Sequence, residues 1–443
     1  MRYFRFHRTD IAILILAFAS SAHAGRMLDT AAPTTRLTAP PATQEIDALP
    51  LPEADMAESE DDDRADDGDL VSEVADDSEA EIESSSLPTA PPKRWQWRQA
   101  FRIGMSHDDN IYLSSRQKVA DVIVEAGASF SLTWGDYLKR EENFLSIQYA
   151  PSYILFADHD DQNGFTQDGS LTGQWRLAKL TLGAQAGIQT LIGGDADVGA
   201  RADRTLYEIA LTSKYDYSEK TSLEMNFSQS TADYRTYLDS VECVNRNWID
   251  YQLFPKTRVG AGLTFGYLQP QDDDAQTYQQ ALLRVSNPIT SKLNFTISGG
   301  AEFRQLGSGE TQSSPVFTIG ANYRPFDGTE ISLESSRRIH SSASQTGQNY
   351  ASTGISASVR QRFLRRFFAN FAGGYEAAAY EATDSGSDTS REDKFLFGRA
   401  SVSFVFTKRM NIDLYYQYRR NTSTNETSSF DSNIVGIQTT IDF

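Results

Sequence analysis

The sequence predicts an all-β protein, a transmembrane antiparallel β-barrel of about 18 strands (sixteen to eighteen within the error of the boundaries) preceded by a disordered acidic periplasmic segment. Three observations predict it. Apolar and polar residues alternate over stretches of about ten from Trp95 onward. Short turns and longer polar loops follow one another along the same region. The last strand stops at an aromatic carboxy-terminal residue, Phe443.

The N-terminus comes first. Arg2, Arg5 and Arg8 precede an apolar run from Ile11 to Ala22, and Ala22-His23-Ala24 supplies a small-x-small cleavage site, so residues 1–24 read as a removable secretory signal. No later stretch approaches the roughly 18 uninterrupted apolar residues of a spanning helix, which excludes a helical membrane protein. No Cys follows the cleavage site, so N-terminal lipidation is not expected. The single cysteine, Cys243, excludes an intramolecular disulfide.

Residues 25–93 change composition sharply. Pro, Ala, Ser and acidic residues dominate, with runs such as Glu60-Asp61-Asp62-Asp63, and most of the chain's net charge of −19 is concentrated there. Such a segment buries too little apolar surface to offset chain entropy. It reads as a solvated periplasmic spacer, or as a polyanionic arm that docks a basic periplasmic partner or occludes a pore.

Residues 94–443 carry the barrel pattern. From Leu293, the residues Phe295, Ile297, Gly299, Ala301 and Phe303 share one face, and Asn294, Thr296, Ser298, Gly300, Glu302 and Arg304 share the other. Short turns are expected at 134–142, 177–179, 218–221, 254–257, 288–292, 326–329, 363–366 and 407–410. Longer loops are expected at 108–120, 158–164, 193–204, 234–247, 270–275, 307–313, 341–348, 383–393 and 421–429. Eight turns and nine loops make eighteen strands, an even number that leaves both ends on the periplasmic side. Val435, Ile437, Thr439, Ile441 and Phe443 share one face of the final strand, and Phe443 resembles the assembly signal of outer-membrane barrels. Trp134, Tyr137, Trp175, Trp248, Phe254, Phe326, Phe367, Phe368 and Phe406 near strand ends suit interfacial girdles.

The polar parity assigns a lumen lined by Arg98, Arg102, Arg176, Arg258, Arg284, Arg304, Arg324, Arg338, Arg360, Arg362, Arg399 and Arg419, beside Glu125, Glu208, Glu224, Asp250, Glu302, Glu334, Glu376 and Asp413. Amides such as Gln148, Gln174 and Gln417 fill between them. Arginine and carboxylate on neighbouring strands read first as structural ladders. A polar wall of mixed sign also suits a hydrated, hydroxyl-rich solute, with arginines available for uronate or phosphate groups. Residues 25–92 have neither the length nor the apolar content for a folded plug.

Catalytic readings are weak. His107 beside Asp108 and His159 beside Asp160 are adjacent only in sequence, which supplies neither an oriented base nor a nucleophile. No catalytic residue and no cofactor is assigned, and the protein is read as a non-enzyme. Asp158, Asp160, Asn163 and Gly164 loosely resemble a calcium loop, but the glycine is one position late and the distant bidentate Glu is missing. Asp272-Asp273-Asp274 reads as a solvated tip or a cation bridge to lipopolysaccharide. The five histidines are too scattered for a zinc site, so no metal is assigned.

The segment Asp108-Asp109-Asn110-Ile111-Tyr112, followed by Ala120-Asp121-Val122-Ile123 and Glu125-Ala126-Gly127-Ala128-Ser129-Phe130-Ser131-Leu132, resembles the first hairpin of the putative beta-barrel porin 2 family over a layout of about residues 95–443. A proline common in that family after the Asp121-Val122-Ile123 strand is absent here, where Gly127 and Ala128 stand. The resemblance implies an outer-membrane exit pore for an exopolysaccharide or capsular polysaccharide, working beside a periplasmic polysaccharide-export protein. It supplies no catalytic residues. The expected partners are outer-membrane lipid and lipopolysaccharide, the barrel assembly machinery, and that export protein with its polysaccharide; nucleic acid is not among them. A general or sugar-selective diffusion porin and a non-conducting scaffold are the rival readings.

Overall fold

The computed structural model describes residues 95–135, 143–288, 292–383 and 390–443. They form eighteen strands: β1 (Trp95–Asp108), β2 (Asp121–Gly135), β3 (Phe144–Phe156), β4 (Gly164–Arg176), β5 (Leu180–Asp195), β6 (Ala200–Tyr215), β7 (Thr221–Tyr234), β8 (Ser240–Phe254), β9 (Thr257–Pro270), β10 (Gln276–Pro288), β11 (Leu293–Gln305), β12 (Thr311–Tyr323), β13 (Thr329–Ser341), β14 (Gln348–Leu364), β15 (Phe367–Ala382), β16 (Arg391–Thr407), β17 (Met410–Ser423) and β18 (Phe430–Asp442). Each pairs antiparallel with its sequence neighbours, and β18 pairs with β1 to close the sheet. Closure removes every edge, the condition for a sheet to sit in hydrocarbon.

Two faces follow from the alternation. Trp97, Phe101, Ile103 and Met105 of β1 stand on the outward face and are exposed, as are Leu263 and Phe265 of β9 and Val435 and Ile437 of β18. On β16 the outward apolar run from Leu396 to Phe406 spans eleven residues, about 25 Å of height at the usual strand tilt. The expected outer-membrane barrel is thus present, with a lipid-facing apolar belt and a polar interior. No helix of the described residues is long and apolar enough to cross a membrane.

Aromatic girdles frame the belt. Trp95 packs on Trp134 with ring centroids 6.4 Å apart, and Phe367 stacks on Phe404 at 4.6 Å. Trp175, Phe254, Phe326 and Phe406 are likewise exposed. Two expected girdle residues are instead inside. Trp248 lies under the Arg284 guanidinium at 4.3 Å, and Phe368 lies under Arg360 at 5.1 Å, because their parity follows the inward face. Tyr137 falls outside the described residues.

Several expected loops are shorter than predicted. The stretch 193–204 is nearly all strand, with only residues 196–199 turning between β5 and β6. β8 begins at Ser240 and β16 at Arg391, so residues assigned to loops carry ladder pairs. Their polar character reflects a strand that continues beyond the lipid, where both faces can be hydrophilic.

One seam departs from full pairing. β11 and β12 pair from Leu293↔Tyr323 to Gln305↔Thr311, whereas β12 and β13 pair only from Tyr323↔Ile331 to Phe317↔Arg337. The unpaired end of β12 contains Pro315, which has no N–H to donate to a ladder. Beyond that point inward-facing Gln312 of β12 bonds outward-facing Glu381 of β15, and Ser308 Oγ donates to the Thr383 carbonyl at 3.2 Å. The loop ends of β13–β15 therefore lie inside the line of the wall.

Candidate functional site: a latched mouth over a polar lumen

The inward faces carry paired charges. Arg102 meets Glu125 at 3.3 Å, and Ser152 Oγ donates to the same carboxylate. Arg284 bridges Glu224 at 2.7 Å and Asp250, while Lys214 reaches Glu224 at 2.8 Å. Arg304 and Glu302, nearly fully buried, bond at 2.8 Å; Arg304 also reaches Gln276 Oε1 and sits 4.6 Å over the Tyr278 ring. Arg419 meets Asp108 at 3.3 Å and Ser432 Oγ at 3.1 Å. These pairs join residues on one strand, on adjacent strands or up to three strands apart around the ring, all on the inner sheet face, the geometry of a lumen ladder.

The remaining lumen candidates divide into three groups. Arg98, Arg176, Arg258, Glu334, Arg338, Arg360, Arg399 and Asp413 take the inward parity of their strands. Arg399 lies 4.2 Å over the Tyr415 ring and donates to Gln417 Oε1 at 3.4 Å. Arg324 lies past the end of β12, in the turn, bonded to Glu330 at 2.6 Å and mostly exposed. Arg362 sits at a register break between β14 and β15, exposed at the same rim. Glu242, Arg246, Arg204, Tyr350, Tyr380, Arg391 and Asp393 also belong to the interior; the charged ones lie in segments that read as loops, and Tyr350 and Tyr380 are aromatic, outside a reading of charges and amides as lining.

The β5–β6 turn is what narrows this lumen. Asp195 opens it, accepting from the Asp197 amide at 2.9 Å and from Tyr234 Oη at 2.9 Å, with Arg204 at 2.8 Å; all are buried. Gly199 closes it at φ +70°, and a side chain there would also strike Ser428 of the β17–β18 loop, 2.6 Å from an ideal Cβ. Only glycine meets both demands. The tip residue Asp197 is 5% exposed. Its carboxylate accepts from Ser342 Oγ at 2.8 Å and from the Ala343 amide at 2.6 Å. Its carbonyl accepts from Arg391 Nη2 at 2.7 Å and from Tyr380 Oη at 3.4 Å.

In a ring of eighteen strands, β5–β6 and β14–β15 stand nine strands apart, on opposite walls. A barrel of this size is roughly 35 Å across at the backbone. The turn and the inward-leaning β13–β15 ends meet between those walls. Apolar contacts reinforce the bridge: Val198 and Ala202 pack with Ala232, Tyr234 and Ala343, and Ala196 packs on Leu113, Phe395 and Phe430. The Leu238 amide adds a bond of 2.9 Å to the Ala343 carbonyl.

Beneath the turn a pocket is lined by Arg338, His340, Tyr350, Glu376, Tyr380, Asp393 and Asn421 among others. Planar groups on three adjacent strands line one wall of it, with Arg391 of a fourth strand beside them. Arg391 lies 4.4 Å over Tyr380, Tyr380 stacks on Tyr350 at 4.9 Å, and Tyr350 meets His340 at 5.2 Å.

The motif at the end of β1 is a fastening. Asn110 is fully buried; its amide donates to Asp108 Oδ1 at 2.9 Å and its side chain to the Asp431 carbonyl at 2.8 Å. Asp109 accepts from the Asn433 backbone and side chain, both at 2.7 Å. The motif thus ties the first loop to β18 beside the closing seam. Phe443 lies at the other end of that seam, its amide donating to the Gln99 carbonyl at 3.0 Å.

The two histidine pairs do not form as adjacent dyads. His107 faces outward and Asp108 inward, as neighbours in a strand must. His159 Nδ1 contacts Asp121 Oδ2 at 2.8 Å instead of Asp160, and Asp121 also accepts from the Asp158 and His159 amides, pinning the β3–β4 loop to β2. Asn163 is used locally, accepting from the Phe156 amide at 2.7 Å. Among the described residues no group of three His, Cys, Asp or Glu is placed to hold a metal.

Residues 310–443 match the family model Putative beta-barrel porin 2. The match covers β12 to β18 and does not reach β1 and β2, whose motif carries the resemblance in the sequence. No curated protein matches the chain. Among solved structures, Pseudomonas aeruginosa OccK11 (OpdR) is 12% identical, covers 78% of this chain and 96% of that chain, and has a TM-score of 0.38. Pseudomonas aeruginosa OpdO is 10% identical over 78% and 97% of the two chains, with a TM-score of 0.43. Acinetobacter baumannii OccAB3 is 12% identical over 78% and 99%, with a TM-score of 0.41.

Proposed function

We propose that this barrel is an outer-membrane porin for secretion of an exopolysaccharide or capsular polysaccharide. The observation that carries the reading is the wall itself. Several of its carboxylates and guanidiniums are spent on one another, as in Arg102–Glu125 and the Lys214–Glu224–Arg284–Asp250 chain, with hydroxyls, amides and ring edges between them to meet the solute. Such a wall exchanges hydrogen bonds with a hydrated sugar chain without trapping it in one deep site, and multi-site weak binding is what conduction requires. The family match supports the same reading. A periplasmic export protein would deliver the polymer to the turn end, and the assembly machinery would read Phe443.

A diffusion porin, general or sugar-selective, is the second reading, favoured by the β5–β6 turn: a mouth narrowed by a loop suits small solutes better than a polymer. Efflux from proteoliposomes containing the full chain separates the two, using oligosaccharides of graded length. Under the export reading, long chains cross when the latch is removed by Asp197→Ala and are retained by the wild type. Passage of small sugars alone, through both proteins, would move the protein to the diffusion class, and no passage through either would contradict a conducting pore.

A further inference from the structure

The outward face above the apolar belt is not uniform around the barrel. On β16 the belt ends at Leu396, and the next outward residue toward the loops is Lys394; on β17 it ends at Tyr418, and the next is Arg420. Arg420 stands opposite Leu396 and Lys394 opposite Thr422, so the two cations are diagonal neighbours on one face. That places them within about 8 Å at the Cβ atoms. Both are exposed, and neither forms an ion pair or hydrogen bond among the described residues.

Two acids share this outward face, Glu392 two residues beyond Lys394 on β16 and Asp431 on β18, and neither carboxylate is bonded to either cation. Asp431 is directly opposite Arg420 on β18, but its carboxylate is held by Lys118 of the first loop at 2.5 Å. The hydrogen bond to Asp431 holds the Lys118 ammonium above its ordinary range, as expected of a committed pair. The row through Lys394 continues over Ala377 and Thr353 to Arg337, which adds a third cation in the same ladder row three strands away. On β1, β2 and β9 the corresponding outward positions are His107, Val122 and Gln269.

We propose that Lys394 and Arg420 form a docking site for the phosphorylated headgroup of an outer-leaflet glycolipid. The depth fits, because both lie just beyond a belt about 25 Å high, where headgroups begin, with the long loops facing outward as in bacterial barrels. The charge fits, because two adjacent cations that bond no carboxylate, beside apolar surface, match an anionic head above acyl chains. Tyr416 and Tyr418 supply ring faces at the same interface.

The test is native mass spectrometry of the full chain in detergent, titrated with bis-phosphorylated lipid A and with the same lipid stripped of phosphate. The wild type retains the phosphorylated form, and Lys394→Gln with Arg420→Gln weakens its apparent affinity about tenfold. Heat-modifiable gel migration checks that the double variant is folded. Unchanged binding in the folded double variant, or equal binding of the stripped lipid, would overturn the site. Competition by millimolar inorganic phosphate alone would make it a free-anion site and also contradict the assignment. An equal loss on neutralising Lys179 and Lys220 at the turn end would place binding in the other leaflet and do the same.

Discussion

Asp197 and Ser342 meet at 2.8 Å between walls that lie on opposite sides of the barrel, one at the tip of the β5–β6 turn and the other just past β13. With the Ala343 amide as a second donor, one buried carboxylate fastens the two halves of the mouth. A carboxylate buried with its donors already in place is a latch whose removal exposes those donors and favours separation.

Replacing Asp197 with Ala is expected to raise the open-state probability of the reconstituted channel. Planar-bilayer recordings should show conductance several-fold above a mostly closed wild type. A Val198→Cys, Ala343→Cys pair, made with Cys243→Ser, should return the variant to low conductance when oxidised, since these residues share one cluster. Equal conductance in all forms would show that the turn does not gate the mouth.

Arg304 and Glu302 are both at most 2% exposed on their side chains, and Arg304 also holds the Ile339 carbonyl where β13 leaves the wall. Arg304→Ala should destabilise the folded barrel by about 3–5 kcal/mol, because it leaves Glu302 buried without its cation. Replacing both by apolar residues should recover much of that loss. Urea unfolding in micelles, followed by tryptophan fluorescence, measures both changes.

Arg284 is the only described cation bonded to both Glu224 and Asp250. Arg284→Gln should uncover lumen carboxylate and shift ion selectivity toward cations, read as a change in reversal potential under a salt gradient. The shift should shrink as ionic strength rises through the range that screens such charges. A reversal potential identical to wild type would remove this group from the conduction path.

Phe443 contributes a backbone bond to Gln99, while the residue as a whole is 67% exposed. Its loss therefore costs little in the finished barrel. Phe443→Asp should slow appearance of the heat-modifiable form in the outer membrane while leaving the unfolding midpoint of purified barrel within error of wild type. A normal assembly rate would contradict the signal role; a lowered midpoint with normal assembly would assign Phe443 to stability instead.

The strand number, the closure and the inward parity of residues such as Arg102, Glu125, Arg284 and Arg419 were legible because a period of two is written directly in residues 292–304 and their counterparts. The latch was not. Residues 193–204 are polar on both faces once the strands leave the lipid, so alternation cannot distinguish a loop outside from a hairpin bent inward. Trp248 and Phe368 show the same limit: an aromatic near a strand end looks alike whether it faces lipid or stacks under a lumen arginine. Register decides that, and register is set by pairing across strands. The β12–β13 separation was marked by Pro315, but only its partner strand reveals which ladder the missing N–H interrupts.

The most direct test of the account is a clean deletion strain in which surface and supernatant polysaccharide, periplasmic polymer and uptake of small sugars are measured together. The account predicts loss of surface polymer with periplasmic accumulation, restored by the intact gene. Normal polymer with impaired sugar uptake would contradict export and leave a diffusion porin.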